Sequence, residues 1–232
     1  MRTPNGRPNG HDTKLVTMLA PRSPVAEAYR TLRTNIQFSS LDVPLRTLLA
    51  TSSGPDEGKS TTIANLAVAM AQAEQRVILV DCDLRRPVQH ELFGLANRAG
   101  LTNLFLEEGD PQPLLQETPQ PGLWVLTSGP LPPNPAELVG SRKMERIIEA
   151  LKSSADIVLF DTPPVLAVTD AAVLATKLDA AILVVRAGKS KRDLARKARD
   201  TLLKVNARLL GVVLNDVPFD TAIFREYYAD RR

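Results

Sequence analysis

The stretch Leu48-Leu49-Ala50-Thr51-Ser52-Ser53-Gly54-Pro55-Asp56-Glu57-Gly58-Lys59-Ser60-Thr61-Thr62 governs the reading of the whole chain. An apolar strand runs into a tight loop, and a helix starts at once. The loop ends in Ser53-x-x-x-x-Gly58-Lys59-Ser60, the Walker A form of a phosphate-binding loop. The residue types follow from the chemistry. Gly58 lets the backbone approach a phosphate closely, and the N–H groups ahead of the helix make an anion nest at the positive end of its dipole. Lys59 brings a point charge to the β/γ-phosphates, and the Ser60 hydroxyl is a Mg²⁺ ligand. Ser53, Gly54, Pro55, Asp56, Glu57, Gly58, Lys59, Ser60 and Thr61 are therefore the expected nucleotide-binding loop. One position departs from the usual pattern: Ser53 stands where Gly or Ala is common. A turn of this composition that binds nothing is the alternative, and the strand–loop–helix order speaks against it.

Around this loop the bulk properties set a frame. The 232 residues, 44% of them hydrophobic, suit one α/β domain with an ample core. A single cysteine, Cys82, excludes an internal disulfide framework and fits a reducing compartment. No apolar signal segment opens the chain, and no run approaches the ~18 apolar residues of a membrane-spanning helix. A net charge of +3 permits anionic partners without arguing for nucleic acid.

Downstream of the loop, Ile63, Leu66, Ala67 and Met70 mark the buried stripe of its helix. Val77-Ile78-Leu79-Val80 is a continuous apolar run, as a central parallel strand requires, and it ends in Asp81-Cys82-Asp83-Leu84-Arg85-Arg86. Carboxylates at the carboxyl end of such a strand lie where α/β sheets bind ligands. A second acid-terminated strand, Ile157-Val158-Leu159-Phe160-Asp161, reads as a Walker B element whose Asp holds Mg²⁺ through water. Further strands are expected at 122–127, 180–185 and 209–214, with helices at 137–153, 169–176 and 191–206. About six strands alternating with helices predict a doubly wound, mostly parallel sheet covered on both faces.

Residues 1–17 read as a mobile arm, 18–217 as the domain, and 218–232 as a short tail. Ser23-Pro24 opens a helix of about 23–38 on which Glu27, Arg30 and Arg33 recur every three residues. On the helix at 191–206, Lys189, Arg192, Arg196 and Arg199 line one face, with Leu194, Ala198, Leu202 and Val205 on the buried side.

Taken together, the Walker A loop, Val77–Arg85 and Ile157–Pro164 resemble the Walker A, A′ and B set of the bacterial tyrosine kinases of capsule and exopolysaccharide synthesis. The Glu27-x-x-Arg30-x-x-Arg33 helix, the Pro132–Pro135 loop and Thr169-Asp170-Ala171 extend the likeness over about Ser23 to Val217. The resemblance implies a P-loop fold using ATP and Mg²⁺, with Ser60, Asp83 and Asp161 holding the metal. It implies Asp81 as the base that takes the tyrosine proton, since a phenol of pKa near 10 is only ~0.1% ionised at neutral pH. It further implies Arg85 at the equatorial phosphate oxygens and Asn215 at the adenine. The Glu27/Arg30/Arg33 helix would assemble a homo-oligomeric ring. A cytoplasmic enzyme held at the inner face of the plasma membrane by an integral-membrane activator, acting on protein tyrosines, completes the picture. Against the family pattern, the tail carries only Tyr227 and Tyr228 in place of a tyrosine cluster, with Tyr29 the one other tyrosine. The rival reading is a non-kinase ATPase switch of the chromosome-partitioning or septum-positioning type. Those proteins carry a second lysine where this chain has Gly54.

Overall fold

The computed structural model describes residues 15–40, 44–106 and 109–218. Among these residues seven strands form one sheet: β1 (Thr47–Ser52), β2 (Val77–Asp81), β3 (Gln116–Glu117), β4 (Leu123–Leu126), β5 (Ile157–Asp161), β6 (Ala180–Arg186) and β7 (Leu209–Asn215), in the order β3-β4-β2-β5-β1-β6-β7. Every pairing is parallel except β3 with β4. The strand beyond the expected six is β3, whose two residues are too short to leave a sequence pattern.

The helices are α1 (Val16–Leu19), α2 (Pro24–Phe38), α3 (Lys59–Ala71), α4 (Gln89–Phe93), α5 (Pro135–Gly140), α6 (Arg142–Ser154), α7 (Asp170–Ala175) and α8 (Arg192–Lys204). Strands β1, β2 and β5 are buried at every position, because apolar clusters cover both faces of the sheet. Ile63, Leu66 and Met70 of α3 belong to one cluster; Met144, Ile148 and Leu151 of α6 belong to the other. This is the doubly wound α/β architecture that the sequence predicts. Because β5 lies between β1 and β2, the three strands that end in motif loops are neighbours. Their carboxyl ends open on one crevice.

Several boundaries differ from expectation. The helix expected over 137–153 is two helices, since Ser141 is extended (φ −70°, ψ 158°) and its hydroxyl accepts the Met144 N–H as the cap of α6. Of the arm expected over 1–17, Leu15 and Thr17 are buried, and Thr17 donates from N and Oγ1 to Asn65 Oδ1 of α3. Residues 1–14 lie outside the described residues, as do 219–232 with Tyr227 and Tyr228.

The basic helix is corrected too. Ala198 and Leu202 are buried, but Leu194 is 43% exposed. Lys189 precedes α8 in a loop, where its ammonium donates to the Asp56 carbonyl. Because α8 covers the edge of the sheet, only the middle of its apolar stripe is enclosed.

Candidate active site

The phosphate-binding loop is shaped by its backbone and by one buried acid. Gly58 adopts φ +89°, the left-handed region that favours glycine. A Cβ there would also sit 2.1 Å from Asn215 Nδ2, so any other residue would push that amide away. Asn215, at the end of β7, donates to the Glu57 carbonyl at 3.1 Å and ties the last strand to the loop. It also lines a groove of about 360 Å³ with Tyr29, Thr62 and Val217.

Glu57 explains the unusual Ser53. Its carboxylate is buried and accepts hydrogen bonds from Ser53 N at 2.8 Å, Ser53 Oγ at 2.7 Å and Gly54 N at 3.1 Å. The Ser190 hydroxyl, from the loop between β6 and α8, donates to the same group. A serine at the first motif position thus supplies a donor to an acid inside the loop, which a Gly or Ala there could not do. Four donors satisfy the carboxylate, and they hold the loop from within.

At the start of α3, the Lys59 ammonium lies 3.0 Å from Ser60 Oγ, 2.9 Å from Asp83 Oδ2 and 3.3 Å from Asp161 Oδ1. The three side chains expected to hold Mg²⁺ therefore converge on one cation. Burial disfavours the charged lysine, but Asp161, Asp83 and Asp81 outweigh it and raise its pKa above the ordinary value. Among the described residues no three acids, cysteines or histidines form a ready metal cage. Mg²⁺ keeps several waters and takes one or two carboxylates. The hard oxygens of Ser60, Asp83 and Asp161 fit that ion.

Asp81 lies at the floor of this cluster, fully buried. It accepts from Val88 N at 3.0 Å and Gln89 N at 2.9 Å with one oxygen, and from Asp83 N at 3.3 Å with the other. Burial and the nearby Asp161 charge lift its pKa well above the usual carboxylate range, against the pull of the Gln89 N–H and Lys59. Gln89 closes the cluster: its amide donates to Asp161 Oδ2 at 2.8 Å and to the Ser60 carbonyl at 3.2 Å.

The two arginines after β2 part company. Arg85 forms a fork with Asp170 at the start of α7, Nε to Oδ2 at 3.0 Å and Nη2 to Oδ1 at 3.2 Å. The structure thus occupies the residue expected at the phosphate oxygens with an ion pair. Arg86 lines the cavity of about 250 Å³ over Gly58, Lys59, Ser60, Thr61 and Asp83. On α2, Glu27 and Arg30 pair with each other, while Arg33 turns inward and donates to the Ala69 carbonyl of α3 at 2.8 Å. Sequence reasoning missed the internal role of Glu57 and the parts played by Gln89, Asp170 and Ser190. Glu57 and Asp170 lie inside quoted motifs, but their partners Ser190 and Arg85 are distant in the chain, as are those of Gln89, and only the Ser53–Glu57 spacing is local.

A glycine-bearing loop at the carboxyl end of a central strand, with acids from β2 and β5 around its lysine, defines a P-loop nucleotide-binding protein. Residues 48–231 match the family described as the CobQ/CobB/MinD/ParA nucleotide binding domain. The chain is 44% identical over 201 residues to the tyrosine-protein kinase YwqD of Bacillus subtilis, covering 87% of this chain and 85% of that protein. It is 37% identical to the tyrosine-protein kinase CpsD of Streptococcus agalactiae, with 87% of each covered. Among solved structures it superposes on the chimerical protein CapA2B2 with a TM-score of 0.85 at 40% identity, covering 88% of this chain and 90% of that one. The kinase domain of Escherichia coli ETK gives 0.84 at 30% identity, covering 94% and 88%. The septum site-determining protein MinD of Pyrococcus horikoshii, complexed with Mg-ADP, gives 0.62 at 25% identity, covering 73% and 69%. The chain belongs to the bacterial tyrosine-protein kinases, a branch of that nucleotide-binding family.

Proposed function

We propose that this kinase uses ATP and Mg²⁺ to phosphorylate protein tyrosines, its own Tyr227 and Tyr228 among them, in the control of capsule or exopolysaccharide synthesis. The observation that carries the reading is the convergence of Ser60, Asp83 and Asp161 on the Lys59 ammonium beside a phosphate nest. When bound through Ser60, Asp83 and Asp161, Mg²⁺ supplies positive charge to the phosphate oxygens. Lys59, released from its two carboxylates, reaches the β/γ-phosphates. The N–H groups of Gly58, Lys59, Ser60 and Thr61 orient them. Asp81 is the base that takes the tyrosine proton, its carboxylate held at the floor of the cluster by the Val88, Gln89 and Asp83 N–H groups. Asn215, fixed against the loop, borders the groove that receives the adenine. The septum-positioning alternative is disfavoured at Gly54, whose N–H is committed to Glu57 and whose position carries no second lysine.

Among the described residues no helix is long and apolar enough to cross a membrane. Recruitment to the inner face of the plasma membrane by an integral-membrane activator is accordingly part of the proposal. So is assembly into a ring through α2, where Glu27 and Arg30 remain partly exposed while Arg33 packs on α3. The test is γ-labelled ATP with Mg²⁺, using the full chain and a Tyr227→Phe/Tyr228→Phe variant. Label on phosphotyrosine that falls in the variant supports the reading. Release of inorganic phosphate with no phosphotyrosine on this chain or an added tyrosine peptide would return the chain to the ATPase switch. Light scattering of Arg30→Ala tests the ring, and an unchanged oligomer mass removes α2 from the interface.

A further inference from the structure

The wall of the phosphate cavity opposite the P-loop comes from the turn after β2, and two adjacent arginines on that turn face different tasks. Asp83 Oδ1 accepts the Arg86 N–H at 3.0 Å, which closes the turn. Successive side chains of so tight a turn diverge. Arg85 leaves toward α7, where Asp170, itself buried, takes both ends of its guanidinium. Arg86, exposed, is among the residues that line the cavity with Lys59, Ser60, Thr61 and Asp83. Its guanidinium meets no carboxylate among the described residues. Besides Lys59, it is the only cation among the residues lining that cavity.

The charges around the cavity call for such a group. Asp81, Asp83 and Asp161 surround a single lysine, and that lysine is already engaged with two of them. A triphosphate brings further negative charge, of which one divalent cation offsets only part. Charge that develops on the transferring phosphoryl group therefore needs a second fixed cation on the wall facing the P-loop. A guanidinium suits the task, because its planar donors match phosphate oxygens in pairs and it stays charged at all working pH values.

We infer that Arg86, and not its neighbour Arg85, is the arginine that contacts the γ-phosphate, with Arg85 serving to hold the β2–α4 turn against α7. The reading predicts that Arg86 distinguishes ATP from ADP, since only ATP carries the group it meets.

The experiment compares the native chain with Arg86→Ala, Arg86→Lys and a remote surface control, Lys152→Ala, all with Mg²⁺. Equilibrium binding is measured for ADP and for a non-hydrolysable ATP analogue, together with steady-state phosphorylation of a tyrosine peptide. For Arg86→Ala the analogue should bind about tenfold more weakly while ADP binding changes less than about threefold. Turnover should fall about 100-fold or more, in the range set by loss of one preorganised donor or finger arginine. Arg86→Lys should recover part of the binding and little of the turnover, because a point charge does not reproduce the planar fork. Equal weakening of ADP and the analogue would overturn the inference, as would binding and turnover both within twofold of native. A change in oligomer mass with the ADP-to-analogue ratio intact would also overturn it, by assigning Arg86 to a contact between copies. Because the discriminating readout is equilibrium binding, it stands even if the tyrosine peptide proves a poor substrate.

Discussion

The crevice at the carboxyl ends of β1, β2 and β5 and the outer surface of α8 are both crowded with charge, yet they use it in opposite ways. In the crevice, Lys59, Asp81, Asp83 and Asp161 are buried or nearly so, and each is held by several partners. On α8, Arg196 pairs with Asp193 at 3.7 Å and Arg199 with Asp200 at 2.7 Å, both pairs open to solvent. The difference lies in solvation. Water screens the α8 pairs, so each contributes little. The crevice groups have left water, so each depends on its neighbours and a single deletion leaves the rest uncompensated. Charge density in a sequence is therefore a poor guide to importance until burial is known.

That contrast ranks the predictions. Lys59→Met should break the crevice most severely, lowering phosphoryl transfer about 10²- to 10³-fold. The structure adds a second expectation, because the lysine balances buried carboxylates. Without Mg²⁺ the variant should lose on the order of 3 kcal/mol of stability, since Asp83 and Asp161 stay buried without their cation. Melting with and without Mg²⁺ measures it. If Mg²⁺ fails to narrow the gap, the carboxylates do not share one cation site.

Asp81→Asn should reduce transfer about 100-fold with nucleotide affinity nearly kept, as befits a group acting in the transition state. Its pH signature has a definite sign. The folded pKa lies above the ordinary 3.8, so the native state holds the proton longer than the unfolded chain. Native stability therefore declines as pH rises from about 3.8 through the raised folded value. Asparagine does not titrate, so the melting temperature of the variant should gain on the native protein between pH 4 and the raised pKa. A gap independent of pH would contradict the buried placement of Asp81 beside Asp161.

Glu57→Gln should act next. An amide in place of the carboxylate faces its own donors toward Ser53, Gly54 or Ser190, leaving buried N–H groups unpaired at about 1–3 kcal/mol. A KM for ATP raised about tenfold, with a smaller effect on kcat, is the expected outcome. An unchanged KM would mean that the loop keeps its shape without the internal acid.

The smallest effects sharpen the comparison at the two charged helices. Arg33→Ala removes a hydrogen bond to the Ala69 carbonyl and should cost about 1 kcal/mol. Arg196→Ala removes only a solvent-exposed pair and should move the melting temperature by no more than about 1 °C. Equal effects would show that α2 and α8 are alike after all.

Much of this was legible along the chain. The period of the apolar residues and the acids closing two strands identify a doubly wound P-loop fold, because buried parallel strands must be apolar throughout and phosphate chemistry restricts the loop residues. Ser60, Asp83 and Asp161 are named as one set through the family resemblance, and the fold brings all three to the Lys59 ammonium. What the sequence could not determine is where a charged side chain goes once the chain has turned. Arg30 and Arg33 share a spacing, yet one pairs along its own helix and the other reaches α3. Arg85 and Arg86 are adjacent, yet only Arg86 lines the phosphate cavity. Glu57 is read from the sequence only as a member of the nucleotide-binding loop, and it is buried against Ser190, a residue 133 positions away. Local patterns specify elements because backbone hydrogen bonding and side-chain period are local. The partner of a long polar side chain is chosen by whichever distant segment packs beside it, and that is decided only in three dimensions.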